Sequence, residues 1–393
     1  MVRRCLIVLL AISIPLMKII EIGGKKINFA VCDFVLILIL IHIMLTFLSN
    51  RKELVFPNLA LFYLFVAVTL ISTLVSMIWI AKTQSVFFTM VEVIKFLVVV
   101  IYFFIFYFYL ETTDEIHLFF KYWVIISVFE VLLGLFGLVT HNPDFSLDYR
   151  IQGSFANPNL FAMYLNASVY ISLYLYLKFQ QKIYLFATLF FIFGIIVSAS
   201  RGALLGLTLS FLFFILYKNK YKLRIILSLF FVALVFSFSL AFTDIDLSYN
   251  ISRLETFSRL DSEDNLGERT HLWKMGIKII ENYPFLGVGK GNFIFAANNL
   301  VETEGTKFNA AHNTYISIAS ETGILNLLIF LGLLTHVFLN LFWYVRANNL
   351  LPKIILTILL AFVTQALVMN IENIRFFWGF LAIGFGIEKY QHA

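Results

Sequence analysis

In a chain that is 61% hydrophobic, a few polar residues have the chemistry to bind an anion or move a proton. Arg269 lies in Gly267-Glu-Arg-Thr-His-Leu-Trp-Lys-Met-Gly-Ile-Lys-Ile-Ile-Glu281. At about 100° per residue, Leu272, Trp273, Gly276, Ile277, Ile279 and Ile280 share one face of a surface-lying amphipathic helix, with His271, Lys274, Lys278 and Glu281 opposite. Arg269 projects onto the apolar face. A guanidinium is costly there unless it meets an anion or snorkels outward, and the pattern leaves both open.

His312 lies in Ala310-Ala-His-Asn-Thr-Tyr315, directly before an apolar run, so it stands at a helix N-terminus. That setting favours anions and a neutral imidazole; a solvated loop histidine is the alternative. Glu321 follows nine residues later on the opposite helical face, so the two form no simple dyad. A carboxylate inside an apolar run is either functional or engaged in helix–helix hydrogen bonding, and the same pair of readings applies to Glu92, Lys95 and Glu130. Gly287, Gly289 and Gly291 flank Val288 and Lys290. Walker A spacing is absent and no strand is predicted before them, so the segment reads as a flexible connector, with a backbone anion nest as the alternative.

The elements that must hold these residues are membrane helices. Only 13% of the 393 residues are charged, where a soluble domain carries about 25%. Runs long enough to cross about 30 Å of hydrocarbon follow one another. Segments such as 225–242 are apolar throughout rather than alternating, which excludes barrel strands. The sequence predicts an all-α polytopic bundle with helices at 5–20, 28–48, 57–80, 88–110, 117–139, 158–177, 183–199, 202–217, 223–243, 313–345, 351–370 and 373–388. The organisation expected is nine helices over 1–243, a large extracytoplasmic loop with short amphipathic helices over 244–312, and three helices over 313–393.

Helix one is expected to be retained, because no small-residue cleavage site follows it. Asn157-Pro158 reads as an N-cap followed by proline at the first helical position. An unbroken helix from Tyr184 to Tyr217 would run about 50 Å, so the chain must turn near Ser198-Ala-Ser-Arg-Gly202, leaving Arg201 at the outer interface. With both termini cytoplasmic, the inner segments hold Arg3, Arg4, Arg51, Lys52, Lys178, Lys182, Lys218, Lys220, Lys222, Arg224, Arg346, Lys353 and Lys389. The short outer segments hold fewer: Lys25, Lys26, Lys82, Arg150, Arg201 and Arg375. The net charge of +6 is therefore a topology signal, and no nucleic-acid partner is implied. Cys5 and Cys32 are expected to be free and buried.

The assembled motifs resemble the O-antigen ligase and O-antigen polymerase family of membrane glycosyltransferases. The resemblance is carried by Gly153-Ser-Phe-Ala-Asn-Pro-Asn159, Ser200-Arg-Gly202, Arg269-x-x-x-Trp273, Pro284-Phe-Leu-Gly-Val-Gly289, His312-Asn-Thr-Tyr315 and Glu321-Thr-Gly323, in that order. It implies an inverting, metal-independent enzyme of the bacterial inner membrane, with no cofactor. The donor would be a glycan on undecaprenyl diphosphate, the acceptor a sugar hydroxyl, and other polysaccharide-assembly proteins would be partners.

By this likeness Arg201 and Arg269 would stabilise the diphosphate leaving group through charge-assisted bonds, and His312 would accept or orient the acceptor proton. Asn157, Asn159, Trp273, Asn313, Tyr315 and Glu321 would contact substrate. The Gly153–Asn159 motif inclines the reading to a polymerase; a ligase acting on a lipid A core is the alternative within the family. A transporter or flippase is the alternative of another class. The halves either side of residue 196 share no repeated motif, which favours an enzyme.

Overall fold

The computed structural model describes residues 1–22, 25–50, 59–79, 86–217, 266–300 and 310–390. The predicted helix at 223–243 lies outside the described residues, as do 244–265 and 301–309 of the predicted loop.

The described chain is a helical bundle. In order it runs α1 (Val2–Ser13), β1 (Met17–Ile22), β2 (Lys25–Ala30), α2 (Cys32–Asn50), α3 (Ala60–Trp79), α4 (Val86–Tyr109), α5 (Thr113–Thr140), β3 (Ser146–Leu147), β4 (Arg150–Ile151), α6 (Pro158–Phe179), α7 (Lys182–Val197) and α8 (Arg201–Leu216). After the gap come α9 (Leu266–Asn282), α10 (Phe293–Leu300), α11 (Thr314–Thr322), α12 (Ile324–Arg346), α13 (Leu350–Gln365) and α14 (Arg375–Phe385). Five of these helices, α3 to α6 and α12, are long and apolar enough to cross a membrane, and further apolar helices are shorter. Helix α6 is the centre: its most apolar window is 89% buried, against 33–50% for the other four.

Two predicted helices are corrected. The first stops at Ser13 rather than residue 20, because Pro15 interrupts it and Met17–Ile22 pairs antiparallel with Lys25–Ala30, Met17 opposite Ala30. The predicted helix 313–345 is two helices broken at Gly323, whose backbone is left-handed (φ 90°). Two local expectations hold. Asn157 Oδ1 accepts the Leu160 N–H at 2.9 Å with Pro158 starting α6, and the α7–α8 turn falls at Ser198–Ser200. Of the two thiols, Cys32 is buried as expected but Cys5 is exposed, on the outward side of α1.

The two chain ends meet at one end of the bundle. Arg3 pairs with Glu111 in the α4–α5 turn and with Glu115 in the first turn of α5, and Tyr390 Oη donates to the Leu110 carbonyl of the α4–α5 turn. From there α5 leads away and α6 back, α7 away and α8 back, which places Lys178, Lys182, Arg346, Lys353 and Lys389 at the terminal end. The β3–β4 hairpin, the α7–α8 turn and the α13–α14 turn gather at the opposite end.

Candidate active site

The α7–α8 turn is the nucleus of a cleft at that opposite end. Ala199 takes a left-handed backbone (φ 48°), which lets α8 start at Arg201 immediately after α7 finishes at Val197. Gly202 faces Val368 so closely that a Cβ would lie 2.5 Å from its Cγ2, so the start of α8 and the α13–α14 turn close on each other. The cleft between them is lined by Arg150, Asn159, Ala199, Ser200, Arg201, Gly202, Arg269, Gln365, Val368 and Met369. It holds about 450 Å³ of non-atom space, open solvent at its mouth included.

The electrostatics of this lining have one sign. Among the described residues, three arginines line the cleft and no carboxylate does. The N-terminus of α8 adds a partial positive charge, since first-turn N–H groups of a helix have no intrahelical acceptor. Ser200 is 1% exposed, does not cap the helix with its side chain, and its Oγ has no hydrogen-bond partner among the described residues. A buried, unsatisfied hydroxyl beside three arginines is a group waiting for a ligand oxygen. Arg150 is itself fixed: its Nε donates to the Ser198 carbonyl at 2.8 Å and Nη2 to Asn159 Oδ1 at 3.0 Å. The arrangement suits a polyanion such as a phosphate ester.

Of the residues singled out from sequence, Arg201, Arg269 and Asn159 thus meet in one cleft. Arg269 reaches it from α9, on which Leu272, Gly276 and Ile279 of the projected apolar face are buried and Trp273 and Ile280 half-buried, while Ile277 is exposed and Met275 joins the buried stripe. The stripe packs on α10 and α11, through Phe293 and Ile316. Trp273 is half-buried, and its indole N–H is enclosed with no acceptor among the described residues.

His312 directly precedes α11, in a left-handed backbone (φ 50°). Burial lowers its pKa below the ordinary histidine value, and the positive Arg269 lowers it further, so the neutral imidazole is favoured. Asn313 caps α11, accepting the N–H groups of Tyr315 and Ile316 at 3.0 and 3.1 Å, and Tyr315 Oη donates to the Val363 carbonyl at 2.9 Å. Asn157, Asn313 and Tyr315 therefore hold backbone in place beside the cleft.

Glu321 is not among the cleft's lining residues; it lies 3.6 Å from Lys290 Nζ, and its Oε1 accepts the Gly291 N–H at 3.1 Å. The 287–291 segment, expected to be a flexible connector, is instead buried between α3 and α11. Ser72 and Ser76 donate to the Leu286 and Val288 carbonyls, and the Val288 and Gly289 N–H groups donate to the Ser320 and Glu321 carbonyls.

Two parts of the cleft escaped sequence reasoning. In the sequence Arg150 reads only as a topology charge, and Ser200 only as part of the turn and of the Ser200-Arg-Gly202 motif, with no role of its own. The tight hairpin before Arg150, with Asp148 and Tyr149 both at positive φ, was the available signal.

Fold and site together define a multi-pass helical membrane protein with a strongly cationic cleft at one end. The O-antigen ligase family matches residues 186–331, a stretch that contains Ser200, Arg201, Arg269 and His312. The likeness to the O-antigen ligase and polymerase family, first carried by short motifs, thus holds across the heart of the chain. No curated protein matches the chain.

Proposed function

We propose that the chain transfers a glycan from undecaprenyl diphosphate to a sugar hydroxyl at the extracytoplasmic face of the bacterial cytoplasmic membrane, in the synthesis of a surface polysaccharide. The observation that carries this reading is the convergence of Arg150, Arg201, Arg269 and the α8 N-terminus on one cleft. As the bond between the anomeric carbon and the diphosphate oxygen breaks, negative charge grows on the diphosphate. Preorganised guanidiniums stabilise that charge more in the transition state than in the ground state. The arginines thereby supply the positive charge that a divalent cation would otherwise bring.

The acceptor hydroxyl attacks the anomeric carbon from the face opposite the leaving group and inverts it; its proton passes to the neutral imidazole of His312. The cleft would receive the diphosphate, Asn159 would hold Arg150 against it, and the unpaired indole N–H of Trp273 would donate to the glycan. The basic end of the bundle, with both termini, would lie in the cytoplasm, so that the cleft opens outward. The Gly153–Asn159 motif inclines the reading to chain extension on the lipid carrier; capture of the glycan by a lipid A core is the alternative.

Transfer from a lipid-linked donor, assayed with purified Arg201→Ala, Arg269→Ala and His312→Ala, tests the scheme. Each is expected to lose about 100-fold or more in kcat. Full activity in any folded variant removes that residue from the mechanism, and the products distinguish extension from capture.

A further inference from the structure

The cleft and His312 are built on different elements, yet one turn lines the cleft and bonds to the two residues that follow His312. Residues 366–371, after α13, bring Val368 and Met369 to the cleft. The same turn grips the start of α11, and Thr314 makes most of the grip. Its N–H donates to the Ala366 carbonyl at 2.9 Å, its Oγ1 donates to the Met369 carbonyl at 2.8 Å, and that Oγ1 accepts the Ile371 N–H at 2.9 Å. Asn313 Nδ2 adds a bond to the Leu367 carbonyl at 3.0 Å. Thr314 is fully buried, and its hydroxyl both donates and accepts.

Two residues earlier, His312 holds a left-handed backbone that residues with a Cβ rarely adopt. Such a conformation persists only where the surroundings fix it. The nearest fixed points downstream are the Asn313 cap and the Thr314 clamp.

We propose that Thr314 is a positioning residue that holds His312 in register with the anion cleft by bolting α11 to the turn that forms the cleft wall. The inference rests on the reading of His312 as proton acceptor. Thr314 has no contact with substrate in this scheme, so its loss displaces the imidazole without weakening the grip on the diphosphate. A displacement of about 1 Å at a reacting group costs up to about 100-fold in rate.

The experiment compares Thr314→Val, which keeps shape and the N–H bond but removes both hydroxyl bonds, with Thr314→Ser, which keeps the hydroxyl. In the purified full-length protein, Thr314→Val is expected to lower kcat roughly 10- to 100-fold, with the donor KM within about twofold of the parent and Thr314→Ser restoring most of the rate. Added to His312→Ala, Thr314→Val should cause no further loss, because it acts through the missing imidazole. An unchanged kcat in Thr314→Val, or the same fold-loss in the His312→Ala background, overturns the inference. If Thr314→Val does not yield folded protein, Thr314→Ala is read by the same criteria. Full activity of His312→Ala would overturn the function reading itself, whereas a slow His312→Ala with a normal Thr314→Val removes only the clamp.

Discussion

Arg150 and Asn159 are joined by a 3.0 Å hydrogen bond from guanidinium to side-chain carbonyl, linking the β3–β4 hairpin to the first turn of α6. The same guanidinium holds the Ser198 carbonyl, so one side chain ties three chain segments together at the cleft rim. Gln365 Nε2 donates to the Asn159 backbone carbonyl at 2.9 Å, which brings α13 into the same network. Neutral amides therefore aim the charge of Arg150, which needs little rearrangement when an anion arrives.

Asn159→Ala is expected to raise the donor KM about tenfold with kcat little changed. Hydrogen bonds to charged groups contribute about 1.5–3 kcal/mol, of which only the part that orients Arg150 reaches the ligand. Arg150→Lys should be at least as harmful, since an ammonium cannot reach Ser198, Asn159 and a phosphate oxygen in one plane. Steady-state kinetics with a lipid-linked donor checks both, and an unchanged KM in Asn159→Ala would show that Arg150 needs no such partner.

The lowered pKa of His312 has a consequence for the pH profile. The neutral imidazole is the reactive form, so activity falls as pH drops through its pKa. That acidic limb is expected below the ordinary value of about 6.5. Burial is the larger cause and Arg269 the smaller. Removing the positive charge in Arg269→Gln should move the limb upward in the residual activity, while Arg269→Lys, which keeps the charge, should not. Movement in the opposite direction would mean that the limb belongs to another group.

The membrane class, most helix positions and the outline of the cleft were legible because each rests on a local signal. Apolar runs mark the helices, Asn157-Pro158 marks the start of α6, and helix length forces the turn at Ser198–Ser200. What escaped depends on distant partners. The periodicity of α9 placed Leu272, Gly276 and Ile279 on the buried side, but that Met275 is buried and Ile277 exposed depends on its packing against α10 and α11. Glu321 looked like a candidate ligand because its partner, Lys290, lies 31 positions earlier in a glycine-rich segment that resembled a linker. The role of Arg150 needed Asn159 and Ser198 in three dimensions.

Gly323 separates α11 from α12 at φ 90°, and a Cβ there would stand 1.9 Å from the Phe285 carbonyl oxygen. Strain and overlap act on backbone that cannot move aside, so Gly323→Ala is expected to destabilise the protein by about 3 kcal/mol or more. Thermal unfolding in detergent provides the measurement. Gly332, in the middle of α12, is the control, because a Cβ added there meets nothing closer than 3.9 Å. Gly332→Ala should leave the transition unchanged or raise it slightly.

Lys290 and Glu321 are both nearly inaccessible, with side chains 6% and 7% exposed. Glu372 lies 3.9 Å from the same ammonium and accepts from Ser317 Oγ at 2.9 Å. Removing one member of a buried pair leaves the other charge without compensation and costs about 3–5 kcal/mol. Lys290→Met is accordingly expected to destabilise strongly. Lys290→Met combined with Glu321→Gln should recover part of the loss, because the surviving amide no longer carries a charge into the interior. If the pair serves only to hold the glycine segment against α3 and α11, Glu321→Gln will lower the unfolding midpoint while the folded fraction keeps its donor and acceptor KM values. A selective rise in either KM, with stability intact, would instead give Glu321 the substrate contact that its place in the motif first suggested.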